Sequence, residues 1–190
     1  MMRLMSSISI AAIMFGFVGC AMPISITTGQ VMPGYQIPTN SKFVVLNIPD
    51  GHERGQDPTF GSGQAMVSSL KEQLMIHGCT VTSVDSKDLS DGFKEAERLG
   101  YTHVFKGTFT HWEDNATEWS SNPDRATFSL ELFDLQDKRL VASSTHQKQS
   151  SGAAMFSASP TRFVPELAER TLARILGWQP KAQAAKQAQE

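Results

Sequence analysis

The run of residues 125–132 constrains the fold most strongly, because apolar and polar side chains alternate through it without a break. Its apolar members are Ala126, Phe128, Leu130 and Leu132. Strict alternation predicts a β-strand with one face on a core and the other toward solvent. The polar residues 136–139 predict a turn, and residues 140–147 predict a returning strand. The chain is therefore expected to contain an antiparallel hairpin.

The part of the chain before this hairpin predicts strands that alternate with helices. Residues 43–48 form a short apolar run typical of a buried strand, and a helix over 64–77 follows. The other predicted elements are a strand at 79–84, a helix at 89–99 capped by Asp88, a strand at 101–111 and a last helix from Pro165 to Gly177. The order βαβαβββα predicts an α/β (α+β) fold, a two-layer sandwich with a mixed sheet and the helices packed on it.

Residues 1–19 have the pattern of a bacterial lipoprotein signal peptide, and Cys20 follows them. The uncharged, mainly apolar stretch 4–17 comes after Arg3 and is too short and wrongly flanked to span a membrane. The segment Val18-Gly19-Cys20 resembles the lipobox of bacterial lipoproteins, with Phe17 where leucine is usual. The resemblance implies that diacylglycerol is attached to the Cys20 sulfur, that the chain is cleaved before Cys20, and that the new amine is acylated.

This lipid would be the membrane anchor, because several acyl chains hold a protein firmly on a bilayer. Ala21 stands where an aspartate would retain the protein in the inner membrane, so we expect a position at the outer membrane, facing the periplasm. The alternative is an ordinary signal peptide in which Cys20 has no role.

Composition predicts that the rest of the chain consists of a tether, a single domain and a tail. Residues 20–41 are expected to be the lipidated cysteine and a flexible tether, because 21–41 contain three prolines and no charged side chain. A single periplasmic α/β domain is expected over 42–178, and the low-complexity residues 179–190 predict a disordered tail. With 17 Lys and Arg against 19 Asp and Glu, the chain has no excess of positive charge for nucleic acid.

Cys79 is the other of the two cysteines, so a lipid on Cys20 leaves no disulfide within the chain. It begins a predicted strand and is expected to be a packing residue. No neighbour in the sequence predicts a lowered thiol pKa.

Standard catalytic motifs are missing from the sequence, so no catalytic residue, metal or cofactor is predicted and a non-enzymatic protein is expected. The loop 50–63 is a weak candidate for ligand binding, because helix N-termini favour anions and glycines allow close approach to the backbone. Gly61-Ser62-Gly63 would supply the backbone groups, and His52 and Arg54 would add charge. The alternative is a surface loop in which Ser62 caps the helix.

The connection after the strand 101–111 is a stronger candidate, since it is long for a link between strands and is rich in acidic and aromatic residues. Trp119 is expected to belong to a partner-binding surface, because tryptophan is enriched at the centres of interfaces. Its expected polar rim consists of Glu113, Asp114 and Glu118. Trp112, closer to the strand, is expected in the core.

Two alternatives remain for this connection. It would be structural if both tryptophans packed back on the core. It would hold a metal or a catalytic site if its carboxylates and His111 converged, although their spacing matches no standard calcium loop. Alternation along the strand places His111 on the same face as Phe105 and Phe109.

The segment Trp112-Glu113-Asp114, followed by Ala116-Thr117-Glu118-Trp119-Ser120, resembles a bacterial lipoprotein family built on a domain of unknown function. This family is the domain-of-unknown-function 4823 lipoproteins, and the similarity covers roughly residues 35–177, including the helix start at Gly61-Ser62-Gly63. The family has no assigned activity, so the resemblance implies no catalytic residues.

The predicted topology also resembles periplasmic modules that dock on envelope machines, such as outer-membrane lipoprotein activators of peptidoglycan synthases, although a fold does not determine a function. The expected function is a membrane-anchored binding or accessory module whose partner is a periplasmic or envelope protein. The alternative is a small-ligand-binding or hydrolytic periplasmic domain that uses the loop 50–63.

Overall fold

The computed structural model describes residues 23–115, 123–150 and 159–180. The signal peptide, Cys20 and residues 181–190 lie outside these ranges. The strands are β1 (Ile24–Val31), β2 (Lys42–Leu46), β3 (Thr80–Val84), β4 (His103–Glu113), β5 (Arg125–Asp134) and β6 (Arg139–Gln149). The helices are α1 (Ser62–Ile76), α2 (Leu89–Arg98) and α3 (Val164–Leu176), and a 3₁₀ turn, Pro160–Phe163, leads into α3.

In the described part of the chain, the strands form one six-stranded sheet in the order β1-β6-β5-β4-β2-β3. Strand β2 is parallel to β3 and to β4, and the other pairs are antiparallel. The predicted α+β class and mixed sheet are therefore confirmed. The predicted hairpin is β5–β6, in which Asp134 lies opposite Arg139.

Strand β1 corrects the flexible tether predicted over 20–41. Residues Ile24–Val31 form an edge strand, with Ile24 opposite Gln149 and Val31 opposite Ala142 of β6. The segment is rich in β-branched residues, which favour strands, but its low charge and its flanking prolines pointed to a linker. The ordered domain thus begins well before residue 42.

The helices cover both faces of the sheet, so the fold has three layers where the sequence predicted two. Helices α1 and α3 pack together on one face, over a core that includes Val45, Phe105 and Phe128. Helix α2 lies on the opposite face, where its Phe93 and Ala96 join a second cluster. Strand β2 is a continuous apolar run because it contributes side chains to both clusters.

A β-bulge at Thr110 decides which aromatic side chains of β4 enter the main core. Phe109 lies opposite Phe128, but His111 lies opposite Thr127, so the intervening residue has no partner on β5. The bulge reverses the alternation and places Trp112, rather than the predicted His111, on the face of Phe109. Trp112 is only 3% exposed, so its predicted place in the core is confirmed.

Candidate functional site

The two segments singled out by the sequence meet at one end of the sheet. Strands β2 and β4 are parallel, so the loop after β2 and the last residues of β4 lie at the same end of the sheet. Gly51 of that loop packs against the indole of Trp112, and a Cβ on Gly51 would lie 2.4 Å from the ring. We call residues 47–61, 111–115, 123–125 and 149–150 the loop end of the domain.

Asp124 organises this loop end. Its buried carboxylate accepts a hydrogen bond from the backbone N–H of Asn115 at 3.0 Å and one from the Arg162 guanidinium at 2.7 Å. Its backbone N–H donates to the Ser150 hydroxyl at 3.0 Å, and its carbonyl accepts from the Ser150 N–H at 3.0 Å. These bonds fix Asn115 and Asp124, which flank the connection carrying the predicted partner-binding residues.

The described members of the predicted polar rim, Glu113 and Asp114, are half-buried at the loop end. The Glu113 carboxylate lies 2.9 Å from His111 Nε2 and 3.9 Å from Arg125 Nη1. Trp119 and Glu118 lie outside the described residues, so their role in a partner surface stays a prediction.

The amide groups at the start of α1 are bonded to Asp50. One Asp50 oxygen accepts from the Gly63 N–H at 2.7 Å and the other from the Gly61 N–H at 3.2 Å. Ser62, predicted to cap the helix, is instead its buried first residue, and its hydroxyl accepts from the Gly51 N–H at 2.8 Å. The predicted cap is wrong because the Asp50 carboxylate occupies that position from across the loop.

Gly63 allows the start of helix α1 to pack closely against the backbone after strand β2. A Cβ at this position would lie 2.0 Å from the carbonyl oxygen of Ile48, so only glycine lets α1 approach the end of β2. His52 and Arg54 are exposed, and within the described ranges neither forms a hydrogen bond or an ion pair. No contact within the described ranges joins these side chains to Gly61, and their role in a ligand site stays a prediction.

Phe60 is a feature of the loop end that sequence reasoning missed. Its side chain is 98% exposed, directly before the left-handed Gly61 that precedes α1. A single apolar residue inside a polar loop has no periodicity, so the pattern of the sequence gives it no role. An exposed phenylalanine forgoes the roughly 2 kcal/mol that burial of such a side chain contributes.

A second polar cluster, at the opposite end of the sheet, was also missed. The Tyr35 hydroxyl lies 2.7 Å from His103 Nε2 and donates to Asp134 at 2.5 Å, while His103 Nδ1 lies 2.8 Å from the Thr102 hydroxyl. Burial lowers the pKa of His103. Burial and the bond to Asp134 raise the pKa of Tyr35. Because the phenol stays protonated and both imidazole nitrogens have partners, this cluster fastens the segment before β2 to the sheet.

A third polar cluster holds β1 to α3. The Ser25 hydroxyl donates to Glu166 at 2.9 Å, and the Lys148 ammonium lies 2.9 Å from the other oxygen of the same carboxylate. His146 is fully buried between them, with Nδ1 2.8 Å from the Thr27 hydroxyl, and burial lowers its pKa. The first residues of β1 are thus fixed beside the first turn of α3.

Cys79 packs against the main core, as predicted, although it is only half-buried. Burial raises the pKa of its thiol, so the thiolate needed for nucleophilic chemistry is disfavoured.

Across residues 23–115, 123–150 and 159–180, no group of three or more His, Cys, Asp or Glu side chains is placed to hold a metal ion. In the same ranges, none of the helices has the length and apolar character needed to cross a membrane.

No protein-family model matches the sequence, and no curated protein matches it significantly. Among solved structures, the fold is similar to that of the PelC dodecamer from Paraburkholderia phytofirmans, with a TM-score of 0.63. The two sequences are 15% identical, and the match covers 82% of this chain and 99% of that chain. It is also similar to lipoprotein GNA1162 from Neisseria meningitidis, with a TM-score of 0.50, 12% identity, and coverage of 79% and 99%. At these identities, the likeness shows a common fold. The described residues therefore form a domain whose fold is shared with a bacterial lipoprotein.

Proposed function

We propose that the chain is a lipid-anchored accessory protein of the bacterial cell envelope, which binds a periplasmic or envelope protein and catalyses no reaction. The observation that carries the proposal is the position of β1. Its first residue, Ile24, stands four positions after Cys20, so a lipid on Cys20 would hold the folded domain itself at the membrane. The reason to expect that lipid is the lipobox resemblance, which implies cleavage after residue 19 and lipidation of Cys20.

The shared fold supports a role in the envelope. One similar structure is described as a lipoprotein and another as a dodecamer, so this fold is compatible with both anchoring and assembly. Ala21 supports the outer membrane, with the domain facing the periplasm. Membership of the domain-of-unknown-function 4823 lipoproteins belongs to the same proposal and rests on the sequence resemblance alone.

The polar clusters support binding rather than catalysis. Asp124 is bonded to two donors, and the protonated Tyr35 phenol is neither a base nor a nucleophile at neutral pH. Asp124 holds Asn115 and, through the chain, the neighbouring Glu113 and Asp114 in fixed positions. A surface that is ordered before binding loses less conformational entropy when a partner docks.

The alternative function, a small-ligand-binding or hydrolytic domain using the loop 50–63, has less support. The Gly61 and Gly63 amides that would bind an anion already donate to Asp50. A ligand would have to displace this carboxylate.

Two experiments test the proposal. In cells, mature protein should carry acyl chains on Cys20 by mass spectrometry, and Cys20→Ser should release the protein from the membrane fraction. After crosslinking, Trp119→Ala should reduce capture of the partner by an amount equivalent to about 2 kcal/mol or more, with little change in melting temperature.

Met75→Ala is the matched control for partner capture. Met75 is an exposed apolar residue in the last turn of α1, at the end opposite Gly61. Equal capture by both variants, or unfolding of Trp119→Ala alone, would contradict the predicted partner surface.

A further inference from the structure

Helices α1 and α3 and strand β1 all begin at the loop end. Helix α1 starts at Ser62, immediately after the loop that packs on Trp112. Arg162, directly before α3, bonds to Asp124 at 2.7 Å. Glu166, in the first turn of α3, bonds to Ser25 at the start of β1 at 2.9 Å.

The two helices run side by side in the same direction. They pack against each other along the main core, and their far ends meet where His77 stacks on Trp178 with ring centroids 3.8 Å apart. Packed helices lie about 8–10 Å apart, so the start of α1 is a short distance from the start of α3. Phe60, which precedes α1, is thus on the same side of the domain as Ser25, which contacts α3.

The length of chain between the anchor and the fold limits how the domain can stand on a membrane. Cys20 is four residues from Ile24, and four extended residues reach at most about 14 Å. A tether of some twenty residues would let any side of the domain face the lipid, whereas this short link holds the start of β1 close to it. This step rests on the lipidation proposed above.

We propose that the loop 50–61, one part of the loop end, faces the lipid bilayer and that the Phe60 side chain enters the membrane interface. Phe60 is 98% exposed in the folded domain, so insertion would bury an apolar ring that the protein leaves in water. The ionisable residues of its loop are Asp50, His52, Glu53, Arg54 and Asp57, with no excess of positive charge. The contact is therefore hydrophobic, and because the loop has two more acidic than basic side chains, anionic lipid should weaken it and added salt should lessen that repulsion.

The test uses full-length, lipidated protein in vesicles of zwitterionic phospholipid, with and without brominated acyl chains. Phe60→Trp places a fluorophore at the proposed contact, and Met75→Trp places one on an exposed position at the far end of the same helix. The fluorescence added over wild type should be blue-shifted for Phe60→Trp and should lose about half its intensity with brominated lipid. The fluorescence that Met75→Trp adds should show neither the blue shift nor the quenching.

Hydrogen exchange of the wild-type protein gives a second readout that requires no substitution at Phe60. Amides of residues 52–60 should exchange more slowly in vesicles than in the soluble Cys20→Ser protein, and those of residues 75–78 should not. The proposal is overturned if the Phe60→Trp signal is unquenched, or if both tryptophans are quenched equally.

Mass spectrometry of the Cys20 peptide separates this inference from the proposed function. If Cys20 carries no lipid, both fail, because the short link then anchors nothing. If Cys20 is acylated and Phe60→Trp is not quenched, only the orientation of the domain on the membrane is refuted.

Discussion

The Tyr35 hydroxyl donates a hydrogen bond of 2.5 Å to the carboxylate of Asp134, on a strand ninety-nine positions further along the chain. The same hydroxyl lies 2.7 Å from His103, which is only 2% exposed. One side chain thus fastens the segment between β1 and β2 to two strands of the sheet. Because this segment joins β1 to the rest of the domain, the contact helps to make β1 part of the fold.

Tyr35→Phe removes this hydroxyl while keeping the ring. We expect the free energy of unfolding to fall by about 1.5–3 kcal/mol, because a hydrogen bond to a charged acceptor is lost and a buried imidazole nitrogen loses its partner. Urea denaturation measures the change. Tyr101→Phe is the control: Tyr101 packs beside the second core cluster, and its variant should differ from wild type by less than about 0.5 kcal/mol. Equal effects at the two tyrosines would contradict the role given to Tyr35.

The stability of the domain should fall as the pH drops below neutrality. Burial lowers the pKa of both His103 and His146, so the folded state holds them neutral, whereas the unfolded chain binds protons near the usual pKa of about 6.5. Below that pH the unfolded state therefore binds more protons than the folded state, and the free energy of unfolding decreases with acidity. The decrease should begin near pH 7 and continue until the lowered pKa values are reached.

Denaturation measured between pH 5 and pH 8 tests this sign. Glu166 opposes the effect of burial at His146, whereas Arg170 and Lys148 reinforce it. His146→Gln should make the pH dependence shallower even though it lowers stability at every pH. A stability that rises on acidification would refute the explanation.

Asp124→Asn tests whether the loop end is ordered by one carboxylate. The variant keeps the size of the side chain but loses the charge that faces Arg162 at 2.7 Å, so we expect a loss of about 2 kcal/mol. Hydrogen exchange of the Asn115 amide should accelerate more than exchange elsewhere in the sheet. Asp137→Asn breaks an exposed ion pair to Arg139 and should change stability by less than about 1 kcal/mol.

Local patterns in the sequence predicted the elements that depend on neighbouring residues. The β5–β6 hairpin follows from strict alternation and a polar turn, both of which are encoded within a short stretch. Asp88 was predicted to cap α2, and its carboxylate accepts from the Ser90 and Asp91 amides at 2.8 and 3.1 Å. A cap of this kind is formed with backbone amides of the next three residues, so it depends little on long-range contacts.

Apart from the exposed Phe60, the features that sequence reasoning missed depend on contacts between residues that are not neighbours in the chain. Strand β1 exists because β6, more than a hundred residues later, offers it an edge, and no local pattern contains that information. Asp50 replaces Ser62 as the group at the start of α1 because the loop folds back on itself. The partners of Tyr35 come from two other strands, so its hydrogen bonds cannot be predicted without knowing how the strands pair.

Gly63→Ala should destabilise the domain even though alanine favours helices over glycine by about 1 kcal/mol. The added Cβ would lie 2.0 Å from the Ile48 carbonyl oxygen, a backbone atom that can move only if the end of β2 moves with it. We expect a net loss of about 1–3 kcal/mol, as for other overpacked sites, in a denaturant titration. The control is Gln64→Ala, one exposed position further along the same helix, which should be neutral or slightly stabilising. A Gly63→Ala protein that is as stable as wild type would show that α1 does not need this close approach, and the glycine would then have to be explained by ligand access instead.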